Sequence, residues 1–369
     1  MKNLFIRALG LTALMLLPNQ VLAGEFAVVG PRAAGMGGAG VAITTDALAT
    51  YWNPAGLAMT QTVDIRIQAT GQGVDRLGVR QTLDDIKNFT PGNAAAAQGL
   101  ADRINGGSIS AASAGGLYFK GHFGEHAFGF NISDVATGGS YVDPNRKFGV
   151  IGGNNVQGTF LLRGLEARQA AFSYAYAFAD KTFAIGVTAK AIQGAAYAGS
   201  ATVTGGQDVT LTDSLGKAKL SSAFSVDVGA IYRPASWLRL GVVAKDLTQP
   251  EFDAPDGSKY KMLPQVRGGV AINPYSSLTL TADMDVTSNK TFVPGIKSQV
   301  LSVGAEQTIL NEFLSLRVGA YKNVQDAAAT ITPTAGIGLR VFALRVDIGG
   351  GYDFRERGAL ASGSVSLTF

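Results

Sequence analysis

The chain contains no cysteine. That excludes disulfides, iron–sulfur clusters and thiolate zinc centres, although an exported protein could have used the first of these. Histidine is nearly as scarce: His122 and His126 are the only two in 369 residues, and no Ser–His–Asp set finds support around them. Charged residues make up 16%, against about 25% in soluble domains. The formal charge of +4 includes Lys2 and Arg7, and the remainder holds no basic run. The clustered basic face of a nucleic-acid binder is therefore missing. Past the first two dozen residues there is no apolar run of the ~20 residues that a membrane helix needs.

What is present begins with a secretory signal over residues 1–23. Lys2 and Arg7 give the positive start, the apolar run 8–17 has the length of a signal core, Pro18 breaks it, and Val21-Leu22-Ala23 offers small residues for cleavage. The run is too short for a membrane anchor. The remainder is apolar and glycine-rich: 46% hydrophobic, mean hydropathy +0.17 and 48 glycines, about twice the usual glycine share. An exported, apolar chain without membrane helices is expected to be all-β, a transmembrane antiparallel barrel whose apolar residues occupy alternate positions.

The alternation is explicit. Val63, Ile65, Ile67 and Ala69 take one face while Asp64, Arg66, Gln68 and Thr70 take the other. Leu278, Leu280, Ala282 and Met284 alternate with Thr279, Thr281, Asp283 and Asp285, and Phe342, Leu344, Val346 and Ile348 with Ala343, Arg345, Asp347 and Gly349. About fourteen such segments are expected, near 62–72, 108–120, 125–137, 165–179, 182–195, 220–232, 236–247, 264–273, 276–287, 298–309, 312–322, 332–340, 342–353 and 359–369. Long connections (73–107, 138–164, 196–219, 248–263, 288–297) alternate with tight turns, as in barrels with long outer loops and short periplasmic ones. Phe119, Phe123, Phe178, Phe183, Tyr232, Trp237, Tyr275, Phe313, Phe342 and Phe369 lie near strand ends, most beside tight turns, where an aromatic girdle forms. The loop 73–107 holds helical material: one short helix from Thr82 as cap, and a second from Asn93 through Ile104.

Residues 30–59 are of another kind, irregular and built of small residues. Gly35-Met36-Gly37-Gly38-Ala39-Gly40 fits GxGxxG, but a dinucleotide site needs a strand before it and a helix after it. The better reason for these glycines is close packing of backbone and access to positive φ. His122-Phe123-Gly124-Glu125-His126 fits the inverted zinc-protease string HxxEH, which requires both histidines on one helical face; Gly124 and the flanking strands make it a hairpin turn. Inward charges are expected at Asp64, Arg66, Arg168, Lys190, Asp227, Arg239, Lys245, Arg267, Asp283, Asp285, Glu306, Arg317, Arg340, Arg345 and Asp347. They read as ion pairs that cross-link a polar lumen and hold a plug, not as a catalytic pair. With side chains of this size and a plug, a fourteen-stranded lumen is mostly filled.

Residues 32–57, RAAGMGGAGVAITTDALATYWNPAGL, resemble the N-terminal hatch of the FadL family of long-chain fatty-acid transporters. The shared features are the glycine-rich stretch, an acidic "DA" segment and an Asn-Pro-Ala signature, here Asn53-Pro54-Ala55. The helical insertion in the first outer loop is most similar to the TraF-like branch of that superfamily, whose members are labelled conjugal-transfer outer-membrane proteins. The resemblance implies a fourteen-stranded barrel plugged by a hatch, divided as signal 1–23, hatch 24–61 and barrel 62–369. Gly35, Gly37, Gly38, Gly40, Trp52, Asn53, Pro54 and Ala55 would form the hatch and gate. Proline fixes φ and keeps Asn53 extended, and the Asn side chain can close an Asx turn. Arg66, Arg239, Arg267, Asp283, Arg317 and Arg345 would line the lumen.

The implied function is hatch-gated passage or binding of a hydrophobic or amphipathic small molecule in the outer membrane of a Gram-negative bacterium. The alternative is an accessory part of an envelope apparatus for conjugal transfer or secretion. Membrane lipids, a hydrophobic ligand and the outer-membrane assembly machinery, which would read the terminal Phe369, are the expected partners. No nucleic acid, cofactor, metal or enzymatic activity is expected.

The mature chain should start at or near Gly24 and float with outer-membrane fractions. N-terminal sequencing that finds Met1 retained, or recovery with the inner membrane, would contradict the signal assignment.

Overall fold

The computed structural model describes residues 20–23, 26–208 and 211–369. The expected signal segment lies outside the described residues except for the backbone of Gln20–Ala23, which runs parallel to Lys259–Met262.

Fourteen strands form the wall. They are β1 (Asp64–Arg76), β2 (Ser108–Phe123), β3 (His126–Val142), β4 (Asn155–Phe178), β5 (Phe183–Thr204), β6 (Lys219–Ala235) and β7 (Leu238–Lys245). Then follow β8 (Gln265–Tyr275), β9 (Leu278–Asp285), β10 (Val300–Ile309), β11 (Leu314–Asn323), β12 (Thr332–Val341), β13 (Leu344–Asp353) and β14 (Gly358–Thr368). Each pairs antiparallel with its neighbours in sequence, and β14 returns to β1 in a ladder from Asp64↔Thr368 to Gly73↔Ala359. The barrel is closed, so its wall has no free edge, the one sheet arrangement whose backbone can stand in lipid.

Period-two patterning sorts the two faces. Ile67, Leu280, Val346 and Val365 point outward and are exposed, while Asp64, Gln68, Thr281, Asp283, Asp347 and Ser364 are buried inside. All ten aromatics expected to form a girdle, from Phe119 to Phe369, are exposed on the outer surface or at the tight turns.

Three expectations need correction. β4 and β5 are 24 and 22 residues long, reaching well into the stretches read as loops 138–164 and 196–219. These extensions stand above the apolar belt, so they lack the lipid-facing alternation by which the other strands are recognised. A separate core holds them: Val156, Phe160 and Val203 pack on the helices of the first long loop. Arg168 does not face the lumen. It shares the parity of Phe172 and Tyr174 and lies on the outer wall, paired with Glu166 at 2.6 Å and Asp134 at 3.5 Å. The first loop helix begins a turn before Thr82, at Val79–Lys87, with Gly78 at φ 65 as its cap; the Thr82 hydroxyl instead donates to the Gly78 carbonyl (3.1 Å). The second helix, Ala94–Ile104, begins where expected, and the Asn93 side chain accepts from the Ala96 amide (3.1 Å).

Arginine at Leu280 or Val346 should impair assembly, since a charge at the lipid face costs about 2–4 kcal/mol near the midplane. Arginine at Thr279, whose hydroxyl accepts inside the barrel from Asn273 Nδ2 (2.7 Å), should be tolerated. Heat-modifiability on gels reads the difference, and equal damage at all three positions would refute the face assignment.

Candidate functional site: the N-terminal segment against the barrel wall

Residues 26–59 are almost wholly buried and pack on the inward side of the strands. The segment folds as a short helix α1 (Pro31–Gly35), a bend, a second turn α2 (Ala49–Trp52) and a 3₁₀ stretch, Pro54–Met59. None of these is long enough to satisfy its own backbone. Buried amides without a ladder must find other acceptors, and here the inward side chains of the wall provide them. Asp283 Oδ2 accepts from the Gly40 and Val41 amides at 2.7 and 2.8 Å. The Thr334 hydroxyl accepts from Gly37 N (2.9 Å) and donates to Gly35 O (3.1 Å). Thr70 Oγ1 accepts from Gly30 N, and Asp64 Oδ1 from Ala47 N, both at 3.1 Å.

The glycines make this approach possible. Gly37 and Gly38 sit at φ 70 and 83, where other residues are strained. A Cβ on Gly35 would lie 3.0 Å from the Gly336 Cα, and one on Gly40 would run into the Trp52 ring. The wall reciprocates. A Cβ on Gly319 would lie 2.5 Å from the Gly37 amide and one on Gly304 2.5 Å from the Met36 Cβ, while one on Gly229 would strike the Asn53 side chain. These wall glycines were not singled out in the sequence. Their signal was available: glycine at the inward parity of a strand, where the pattern otherwise places a polar side chain.

Trp52, Asn53, Pro54 and Ala55 form the corner. Asn53 is fully buried and extended (φ −162, ψ 106), and its Oδ1 caps the 3₁₀ stretch by accepting from Ala55 N (3.1 Å). Its Nδ2 donates to Val41 O (3.1 Å) within the segment and to Ala230 O (3.2 Å) and Val242 O (3.3 Å) on β6 and β7. The Trp52 indole donates to Val29 O (2.8 Å) and stacks on Phe26 at 5.4 Å. Pro54 lies over Gly186 of β5.

The inward charges form networks. Arg32 pairs with Glu306; Glu306 also takes Arg317 (2.8 Å), which bridges to Asp347 (2.8 Å), itself 3.0 Å from Arg345. Arg66 joins Asp64 (3.3 Å) on its own strand to Asp46 (3.1 Å) of the segment. Burial works against the Asp46 carboxylate, but Arg66 and Arg32 outweigh it and hold the group below the ordinary aspartate value. Arg267 pairs with Asp285 (2.5 Å) and donates to Gly38 O (3.3 Å); Arg239 donates to Ala42 O (3.2 Å). Buried ion pairs add little net stability because desolvation offsets their attraction. Their consequence is positional: each accepts one placement of the segment and penalises others.

His122 and His126 close the β2–β3 hairpin, where Phe123 faces His126. His122 has the parity of the buried Lys120, whereas His126 points outward to the Tyr174 hydroxyl (2.7 Å). Opposite faces of a sheet cannot supply two ligands to one zinc ion.

A family model described as "F plasmid transfer operon, TraF, protein" matches residues 50–285. The chain belongs to the TraF family. Solved FadL-like barrels share the architecture of this TraF-family chain. The CymD monoaromatic hydrocarbon channel is 14% identical with a TM-score of 0.55, covering 94% of this chain and 98% of that one. The Pseudomonas putida toluene transporter TodX is 12% identical with a TM-score of 0.54 over 94% and 98%. The Ralstonia pickettii toluene transporter TbuX is 17% identical with a TM-score of 0.51 over 92% and 97%. At these identities the likeness is one of fold. No curated protein matches the sequence.

Glu306→Gln leaves Arg32 and Arg317 competing for a neutral acceptor, and losing one partner of a buried pair costs about 3–5 kcal/mol. Gly319→Val forces the Met36–Gly37 backbone off β11. Both variants should keep a heat-modifiable barrel while limited proteolysis clips residues 26–60 that resist in the wild type. Resistance equal to wild type in both would show that these contacts do not hold the segment.

Proposed function

We propose that this chain is an outer-membrane barrel that passes a small hydrophobic or amphipathic molecule, with residues 24–61 as a hatch that must shift for passage. One observation carries the reading: the segment meets the wall through glycine contacts, side-chain anchors and ion pairs, none of which belongs to the barrel's own ladder. It can therefore move while the wall stays closed. The named channels and transporters of the same fold make a small apolar cargo the class to test. The arginines and aspartates of the interior favour a cargo with a polar end. The setting is the outer membrane of a Gram-negative bacterium, with lipid around the apolar belt.

A second reading has its own support. The family description refers to a plasmid transfer operon, and a filled interior suits a structural part of an envelope apparatus as well as it suits a closed gate.

Single-channel recording in planar bilayers tests the first reading. Deleting residues 26–60 should leave a folded barrel with much larger conductance, while Asn53→Ala and Gly38→Val open it in part. Toluene and a short-chain amphiphile should enter proteoliposomes faster than the lipid background. An intact protein that already conducts as a wide pore, or a deletion that conducts no more than wild type, overturns the gate. Normal impermeability together with loss of plasmid transfer in a deletion strain would favour the second reading.

A further inference from the structure

The connection between β9 and β10, residues 286–299, is one of the long outer loops. It folds as a hairpin, with Asn289–Lys290 antiparallel to Lys297–Ser298. The Thr291 hydroxyl closes its tip, shared between the carbonyls of Val293 and Ile296 at 3.1 Å each. The tip is two-faced. Lys290, Pro294, Gly295 and Lys297 are exposed, whereas Phe292 and Val293 are only 6% and 7% exposed.

Those two side chains are buried far from the root of the hairpin. Phe292 meets Tyr260 edge-on, with ring centroids 5.2 Å apart, in a cluster that includes Leu165 of β4, Ile192 of β5 and Phe252. A Cβ on Gly139 of β3 would lie 3.7 Å from the Phe292 Cβ and 2.9 Å from the Val293 Cγ2. In a closed ring of fourteen strands, β3 stands opposite β10. The hairpin is therefore a strap across the mouth of the barrel. Its two ends are held differently. At the root, Asn323 of β11 donates from Nδ2 to Lys297 O (2.7 Å) and accepts at Oδ1 from Gln299 N (2.9 Å). At the tip the hold is apolar: among the described residues, no hydrogen bond or ion pair joins residues 290–296 to β3, β4 or β5. Apolar contact is non-directional, so the tip is the end that can release.

A cavity lies on either side of the strap. One, of about 130 Å³, is bounded by Thr291, Val293 and Ile296 and by the upper ends of β1, β2 and β10 to β14. The other, of about 60 Å³, shares Leu165, Ala167 and Met262 with the Phe292 cluster, and Thr50 and Tyr51 with the N-terminal segment. It is a chamber between the two. Its lining is polar: Lys190 Nζ is held between Asp227 (2.7 Å) and Asp246 (2.6 Å), and Lys245 Nζ lies 3.2 Å from the Tyr51 ring centroid.

We propose that residues 286–299 are an outer gate, in series with the N-terminal segment and on the other side of the chamber from it. Lifting the tip withdraws Phe292 and Val293 from the far wall and opens the chamber to the medium. The β9–β10 ladder ends at Met284↔Leu301, so the wall keeps every rung while the strap moves. A local opening of this kind needs few contacts to break. The gate controls entry from outside, so it stands even for a barrel that carries no cargo.

The chain has no cysteine, which makes an engineered thiol a specific reporter. Ala171 lines the chamber and is 2% exposed. In full-length, detergent-purified Ala171→Cys protein, a charged methanethiosulfonate should react slowly. Adding Phe292→Ala should speed the reaction by roughly tenfold or more, because the tip loses its buried ring. Fast reaction with the strap intact, or equal rates with and without Phe292, overturns the gate. If Phe292→Ala fails to fold, replacing residues 290–297 with a two-residue hairpin turn removes the tip and is read by the same rates. A second measurement tests the closed position. Gly139→Cys with Phe292→Cys sets the two Cβ atoms at a disulfide spacing, and mild oxidation should join them, seen as a mobility shift on non-reducing gels. Failure to join refutes a strap that crosses the mouth. Neither measurement depends on conductance or uptake, so a barrel that proves impermeable leaves both able to decide.

Discussion

Every polar backbone group withdrawn from water must find a partner, and this structure depends on that constraint twice. In the wall the partner is the next strand. Fourteen antiparallel ladders close on themselves at Asp64↔Thr368, and lipid then meets only the outward side chains. In the interior the constraint acts on a segment that forms no ladder. Its amides are taken by Asp283, Thr334, Thr70 and Asp64, all projecting inward from the wall. The polar half of each strand's alternation is therefore the complementary surface for residues 26–60.

That complementarity explains why glycine is abundant on both sides of the contact. Where backbone packs on backbone, a Cβ on either partner would intrude, as at Gly35 against Gly336 and Gly37 against Gly319. A close fit without side chains has dispersion contacts but little directionality. The ion pairs and the Asn53 amide supply direction. Arg32 with Glu306, Arg66 with Asp46, and Asn53 with the carbonyls of β6 and β7 each cross the interface. A few directional anchors over a smooth surface thus fix where the segment lies.

Much of this was legible in the sequence, for particular reasons. Most of the strands carry apolar residues at period two over the width of the bilayer, and tight turns alternate with long loops, so their number and parity could be read. Asn93 was readable as a cap because its signal is local. The tops of β4 and β5 were not readable, because Val156, Phe160 and Val203 are buried by helices from residues 79–104, a contact remote in sequence. Arg168 shows the opposite failure: its parity with Phe172 was visible and placed it outside, yet its charge suggested the lumen. Outside the belt an arginine needs only a partner, and Glu166 is two residues away.

By itself the sequence determined the class of the protein: strand number, face assignment, the aromatic belt and the distinct character of residues 30–59. These rest on period-two patterning and local turn chemistry, which one stretch of chain carries within itself. Only the tertiary structure decided which wall glycine meets which segment glycine, that Asn53 reaches β6 and β7, and that Lys190 holds both carboxylates while Lys245 rests on aromatic faces. The physical reason is range. Alternation is a property of neighbours, whereas hydrogen bonds between an irregular segment and a closed wall join residues up to 299 positions apart, and their pairing is set by the shape of the barrel.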